Sequence, residues 1–175
     1  MNQPDAVLAE RDVTNQSAIL DLHARAACLV NPESGIANDF LNHFNEILLL
    51  IENLPMLLPE LVDELLQWYP VSYADYFRRS PLPGGTAALD RYHALSDEAK
   101  SYFDHLVERL NIKAVEIVER ISTHRRPDGT IPPEEVGEYC AVASTAFRSE
   151  LDLLALFVNC GYGAAISAAG AAATA

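Results

Sequence analysis

The chain has 175 residues, 50% of them hydrophobic and 21% charged, with a formal net charge of −13. That length suits one domain able to bury roughly 70% of its unfolded surface. The charge argues against nucleic acid as a partner, because phosphate binding draws on clustered Lys and Arg, and the basic clusters are confined to Arg78-Arg79 and His124-Arg125-Arg126.

Residues 1–77 carry 12 acids against 2 bases, and residues 78–175 carry 13 against 10. The first half is the acidic pole, and a basic protein surface is the partner it would attract.

A first helix is expected over residues 4–30, with Ile19, Leu22, Ala26 and Val30 at helical spacing. Asn31-Pro32 stops it, since a residue before proline avoids the helical region. Ser34 is expected to cap a second helix over residues 34–54, ended by Pro55. Its apolar residues Ile36, Phe40, Phe44, Ile47, Ile51 and Leu54 recur at three- and four-residue steps. Pro59 opens a third helix to Trp68, and Pro70 closes it. Ser72 caps a short piece over Tyr73–Arg79. Residues 80–85 form a loop of Pro and Gly, and a short helix follows over residues 87–95.

Ser96 then leads into a long helix with acids in its first turn and cations at its end, as the macrodipole favours. Phe103, Leu106, Leu110, Ala114, Ile117 and Ile121 mark its core stripe. Pro127-Asp128-Gly129 is a turn. Pro132 or Pro133 opens the last helix, carried by Val136, Cys140, Ala143, Phe147, Leu151, Leu154 and Val158 and stopped at Gly161. Residues 163–175, almost all Ala and Gly, read as a disordered low-complexity tail. No alternating strand pattern persists.

The expected fold is therefore all-α. It is a bundle of about four main helices with an elaborated crossover of short helices, in one domain over residues 1–162. The short turn at 127–129 makes the last two helices antiparallel neighbours.

Cys28, Cys140 and Cys160 are odd in number and show no C-x-x-C, which supports neither a disulfide framework nor a zinc knuckle. The N-terminus lacks the basic-then-apolar pattern of a signal peptide. Uninterrupted apolar runs are far shorter than the roughly 20 residues of a membrane span. The expectation is a soluble, cytoplasmic protein of bacterial type, with no membrane partner.

Three constellations are candidates for function. Asn38, Asn42 and Asn45 follow i, i+4, i+7 spacing and would line one face of the second helix. Asn is a mediocre helix former, so such a row asks for a hydrogen-bonding counterpart. Asp39, His43 and Glu46 fall on a neighbouring stripe, where carboxylate and imidazole could hold a metal or accept a phosphoryl group. The bland reading is a boundary histidine hydrogen-bonded to an acid. Helical di-metal sites use Glu-x-x-His on two helices, and this chain has none, so no metal or cofactor is expected.

Trp68, Tyr69, Tyr73, Tyr76 and Phe77 cluster within ten residues, followed by Arg78 and Arg79. Tyr, Trp and Arg are enriched at binding hot spots. The alternative is that the rings only pin the crossover to the bundle.

Residues 35–42, GIANDFLN, resemble the phosphoacceptor helix of hybrid sensor histidine kinases, whose motif reads G-I-A-H-D-F-N-N. The family's phosphorylated histidine falls on Asn38, which cannot be phosphorylated in that way. The resemblance covers eight residues, and no ATP-binding boxes follow. It implies a degenerate dimerisation or phosphotransfer module.

The leading expectation is a non-enzymatic protein that binds another protein or itself. A histidine-kinase-like module and a metal-dependent bundle enzyme are the alternatives. The expected interaction surface is Asn38, Asn42, Asn45, Tyr73, Tyr76, Arg78 and Arg79.

Overall fold

The computed structural model describes residues 30–56, 59–81 and 84–172. Among them the chain is all-α, with six helices, one 3-10 turn at Leu54–Met56 and no strand. The helices are α1 (Phe40–Asn53), α2 (Pro59–Gln67), α3 (Tyr73–Arg79), α4 (Gly85–His93), α5 (Asp97–Ser122) and α6 (Pro133–Ala172). The helix expected over residues 4–30 lies outside the described residues apart from Val30, as does Cys28.

Local chemistry sets several boundaries where the sequence placed them. Ser72 Oγ accepts the Asp75 N–H at 3.1 Å and starts α3, and Ser96 Oγ accepts the Ala99 N–H at 3.2 Å and starts α5. Each satisfies a backbone donor that the first helical turn leaves without a partner.

The second helix begins later than expected. Residues 34–39 are not helical, and α1 starts at Phe40. Gly35 takes φ +72°, a left-handed conformation that breaks a right-handed helix. A tight turn forms instead, with the Gly35 N–H on Asn31 O at 2.8 Å, the Asn31 N–H on Ile36 O at 2.9 Å, and Val30 bridged to Ala37. Ser34 is buried, where its hydroxyl donates to Val158 O at 2.5 Å and accepts the Ile36 N–H.

That turn exists to meet α6. Gly161 has φ +81° and ψ 176°, so α6 is two helical segments joined at a kink. The kink strips carbonyls near residue 158 of their helical donors. Ser34 supplies one to Val158, and Asn31 Nδ2 supplies one to Asn159 O at 3.3 Å. A side chain at Gly161 would stand 2.8 Å from Glu33 O, so glycine is required by space as well as by φ.

Beyond the kink the helix continues to Ala172, where a disordered tail was expected, and Ala165 is fully buried. Alanine has the highest intrinsic helix propensity, so an Ala-rich stretch extends a helix that tertiary packing has already started. By length and composition α6 is also long and apolar enough to cross a membrane. Its apolar second half escapes a search for uninterrupted apolar runs because Asn159, Gly161, Gly163 and Ser167 break it into short pieces.

The core lies where α1, α5 and α6 meet. Phe103 on α5 packs against Phe157 on α6 at 5.3 Å, and Glu150 on α6 takes both Lys113 and Arg109 on α5. His124, past the end of α5, reaches Glu135 near the start of α6. Rising numbers on one helix meet falling numbers on the other, so α5 and α6 are antiparallel, as the short turn required. Phe44 on α1 meets Phe147 on α6 at 6.4 Å, and Glu52 pairs with Arg148 at 2.5 Å.

Candidate functional site

The crossover after α2, residues 68–72, leads into α3, which packs against the core. One face of α3 is pinned to the core. Tyr73 is 1% exposed, ringed by Phe40, Phe77, Tyr92 and Phe103 at 4.8 to 5.4 Å. Its hydroxyl accepts the Ala37 N–H at 2.9 Å, and burial pushes its pKa up to about 12. Tyr73 is therefore not the surface residue expected from the sequence. The Ala37 amide sits outside any helix and needs an acceptor, and the phenol is the one that reaches it.

On the other face of α3 a cleft of about 600 Å³ opens between α1, α2 and α3. His43, Glu46 and Leu50 line it from α1, Glu64 and Gln67 from α2, and Trp68, Tyr69, Tyr76 and Arg79 from the crossover and α3. The His43 ring stacks on the Trp68 indole at 4.8 Å and 23°, with Phe44 and Tyr76 at 5.2 and 6.3 Å. Trp68 Nε1 donates to His43 O at 3.3 Å, which holds the stack in register.

Surrounded by rings, the imidazole loses hydration, and its pKa falls from 6.5 to about 4. His43 is neutral at pH 7. Its Nε2 is buried and has no hydrogen-bond partner among the described residues. A neutral imidazole can donate or accept there, according to its tautomer.

The structure thus brings together six of the residues singled out in the sequence: His43, Glu46, Trp68, Tyr69, Tyr76 and Arg79. Tyr76 is half-buried and donates to Asp39 O at 3.2 Å. Asn42 and Asn45 are exposed on α1 next to Glu46, and Asn38 is exposed in the turn before the helix. The three amides therefore do not form one helical row, because the helix starts after Asn38. Arg78 is spent on Asp75 at 3.0 Å and lines neither this cleft nor its neighbour.

The segment resembling a phosphoacceptor helix is not helical from 35 to 39, so Asn38 does not take the place a phosphorylated histidine would hold on a helix. Among the described residues no group of three or more His, Cys, Asp and Glu side chains is placed to hold a metal ion, and Asp39, His43 and Glu46 do not converge.

Cys140 is buried on α6, which pushes its thiol up to about 11 and keeps it protonated and unreactive at neutral pH.

A second cleft, of about 640 Å³, lies on the Tyr73 side of α3 along α5. Val71, Tyr92, Val107 and Val115 line it together with Asp104, Glu108, Asn111, Ile112 and Glu116. Tyr92 donates to Asp104 at 2.7 Å, and both the burial of the phenol and that bond raise its pKa. Asn111 Nδ2 donates to Val71 O at 3.1 Å, while its Oδ1 is buried without a partner among the described residues.

Sequence reasoning passed over this groove. Its one legible signal was Ile112, an aliphatic residue standing in the charged row of the long helix.

Compared with protein-family models, curated proteins and solved structures, the chain matches none.

Proposed function

We propose that the chain is a binding module that engages a partner protein through the His43 cleft, with Asn42 and Asn45 as its polar margin. The observation that carries this reading is the buried, unpaired Nε2 of a neutral imidazole at the cleft wall. A buried polar atom without a partner costs about 1–3 kcal/mol, and a bound group that pairs with it recovers that cost.

The other lining groups suit a polypeptide segment. Trp68, Tyr69 and Tyr76 give aromatic area, the type of residue that dominates interface energy. Arg79 has no ion pair within the described residues, while Glu46 and Glu64 add carboxylates, so the cleft presents both signs. A volume of about 600 Å³ accepts a few side chains of an extended segment. Phosphotransfer is the weaker reading, since Asn38 stands where the resembling motif has its histidine and residues 35–39 are not helical.

The test is His43→Phe, which keeps the stack on Trp68 and removes the nitrogen. The variant should be at least as stable as the parent. Partners captured by the parent should be lost or bound about tenfold more weakly, the equivalent of one buried hydrogen bond. Capture unchanged in both His43→Phe and Arg79→Glu would remove the cleft from consideration.

A further inference from the structure

The groove on the Tyr73 side of α3 supports an inference independent of the His43 cleft. Its lining is mainly apolar, and Ile112 stands at its edge 53% exposed. Asp104, Glu108, Ile112 and Glu116 follow one another at four-residue steps, so they form a single row along α5. A solvated helix face is ordinarily polar throughout, and a large aliphatic side chain among three carboxylates calls for a cover.

The cations nearby do not answer those carboxylates. Lys100 lies over the Tyr92 ring at 4.9 Å, at one end of the groove, and Arg78 is held by Asp75. Lys113 and Arg109 are both held by Glu150 on α6. Glu108 and Glu116 have no ion pair or hydrogen bond within the described residues. Asn111 adds a buried Oδ1 that lacks a donor. Among the described residues, the Glu108 and Glu116 carboxylates and Asn111 Oδ1 are therefore left as acceptors in the groove.

We infer that this groove docks a basic amphipathic helix of a partner protein. Its apolar side chains cover Val107 and Ile112, its Lys or Arg residues meet Glu108 and Glu116, and one donor reaches Asn111 Oδ1. From Asp104 to Glu116 the row runs about 18 Å at 1.5 Å per residue, which matches three turns of a docked helix and exceeds the reach of a small organic cation. The chain's own first 29 residues are a poor occupant, because they carry 4 acids against 2 bases. A second copy is disfavoured too, since each chain brings a charge of −13.

The probe is a synthetic helical peptide of roughly 18 residues, five turns, with Leu on one face and Lys on the other. A second peptide with Glu in place of Lys serves as the reference. Fluorescence anisotropy on the full-length chain should show binding of the Leu/Lys peptide only, weakening as salt is raised. Glu108→Lys combined with Glu116→Lys should weaken it about tenfold or more, and Ile112→Asp should do likewise. All three sites are exposed, so circular dichroism should show the helices intact.

Glu134→Lys with Glu138→Lys, two exposed acids on α6, makes the same change in net charge elsewhere and should leave binding as it was. Equal weakening by the α6 pair would mean the peptide reads only overall acidity, and the inference fails. It also fails if the Leu/Glu peptide binds as tightly, or if the α5 variants bind unchanged. A concentration-dependent dimer of the parent that the α5 variants dissolve would assign the groove to a second copy and overturn the partner. His43→Phe should not alter peptide binding, which keeps this result separate from the fate of the His43 cleft.

Discussion

The two clefts share α3 as a wall and differ in how they meet water. The His43 cleft puts a titratable ring among aromatics and loses its charge, so its chemistry is that of neutral hydrogen bonding and stacking. The α5 groove keeps its carboxylates on an exposed edge over an apolar floor, so its chemistry is long-range charge and hydrophobic contact. The same physical rule produces both. Burial neutralises an ionisable group that has no partner, while a rim position leaves it charged and available.

The wall itself should give the largest effect. Tyr73→Ala removes a fully buried ring that four aromatic neighbours and an amide depend on, and should cost about 3–5 kcal/mol in urea denaturation. Tyr73→Phe keeps the ring but strands the Ala37 N–H, for about 1–3 kcal/mol. Equal costs for the two variants would mean that the hydroxyl, and not the packing, holds the clefts apart.

Acidification separates the clefts next. His43 has a folded pKa near 4 against 6.5 when unfolded, so the unfolded state takes up the proton first. Its contribution to stability is complete above pH 6.5 and is lost as pH falls from there toward 4. The full shift would be worth about 3 kcal/mol, and partial exposure of the ring reduces this to about 2 kcal/mol. Carboxylates add their own acid losses, so the measurement is the difference in melting between parent and His43→Phe across that window. Parallel curves would show that the imidazole is hydrated and protonates normally.

On the groove side, Asn111→Ala deprives Val71 O of its donor and should cost about 1 kcal/mol. The pH response assigned to His43 should be unchanged in that variant, and a changed response would mean that the two clefts are coupled through residues 68–72. The smallest effect is expected at the margin of the His43 cleft. Asn45→Ala should raise stability by about 0.5 kcal/mol, because Asn45 is exposed and Ala is the better helix former. A loss of similar size in thermal melting would show that the amide is bonded within the monomer.

Much of the fold was legible because its signals are local. Ser72 and Ser96 cap the helices they precede, prolines open α2 and α6, and the stripe from Phe103 to Ile121 faces inward as its spacing requires. The start of α1 was not legible. Residues 34–39 have helical spacing of apolar groups, but Gly35 turns left-handed and two carbonyls at the Gly161 kink, more than 120 residues away, take the side chains of Ser34 and Asn31.

The site was legible in part for the same reason. His43, Glu46, Tyr76 and Arg79 were picked for their residue type, but which of the crossover tyrosines faces inward depends on the orphan amide of Ala37, which no local pattern reveals.

The sequence by itself determined the helical class, the acidic charge and the positions where helices begin at a capping serine or a proline. These follow from spacing, composition and chemistry within one turn. The tertiary structure alone decided that Tyr73 is core and Tyr76 lines a cleft, that His43 is neutral with a buried free nitrogen, and that the Ala-rich end continues as a helix with Ala165 packed beneath it. Each of those outcomes depends on the solvation of a group by residues distant in the chain, and solvation is a property of the packed molecule.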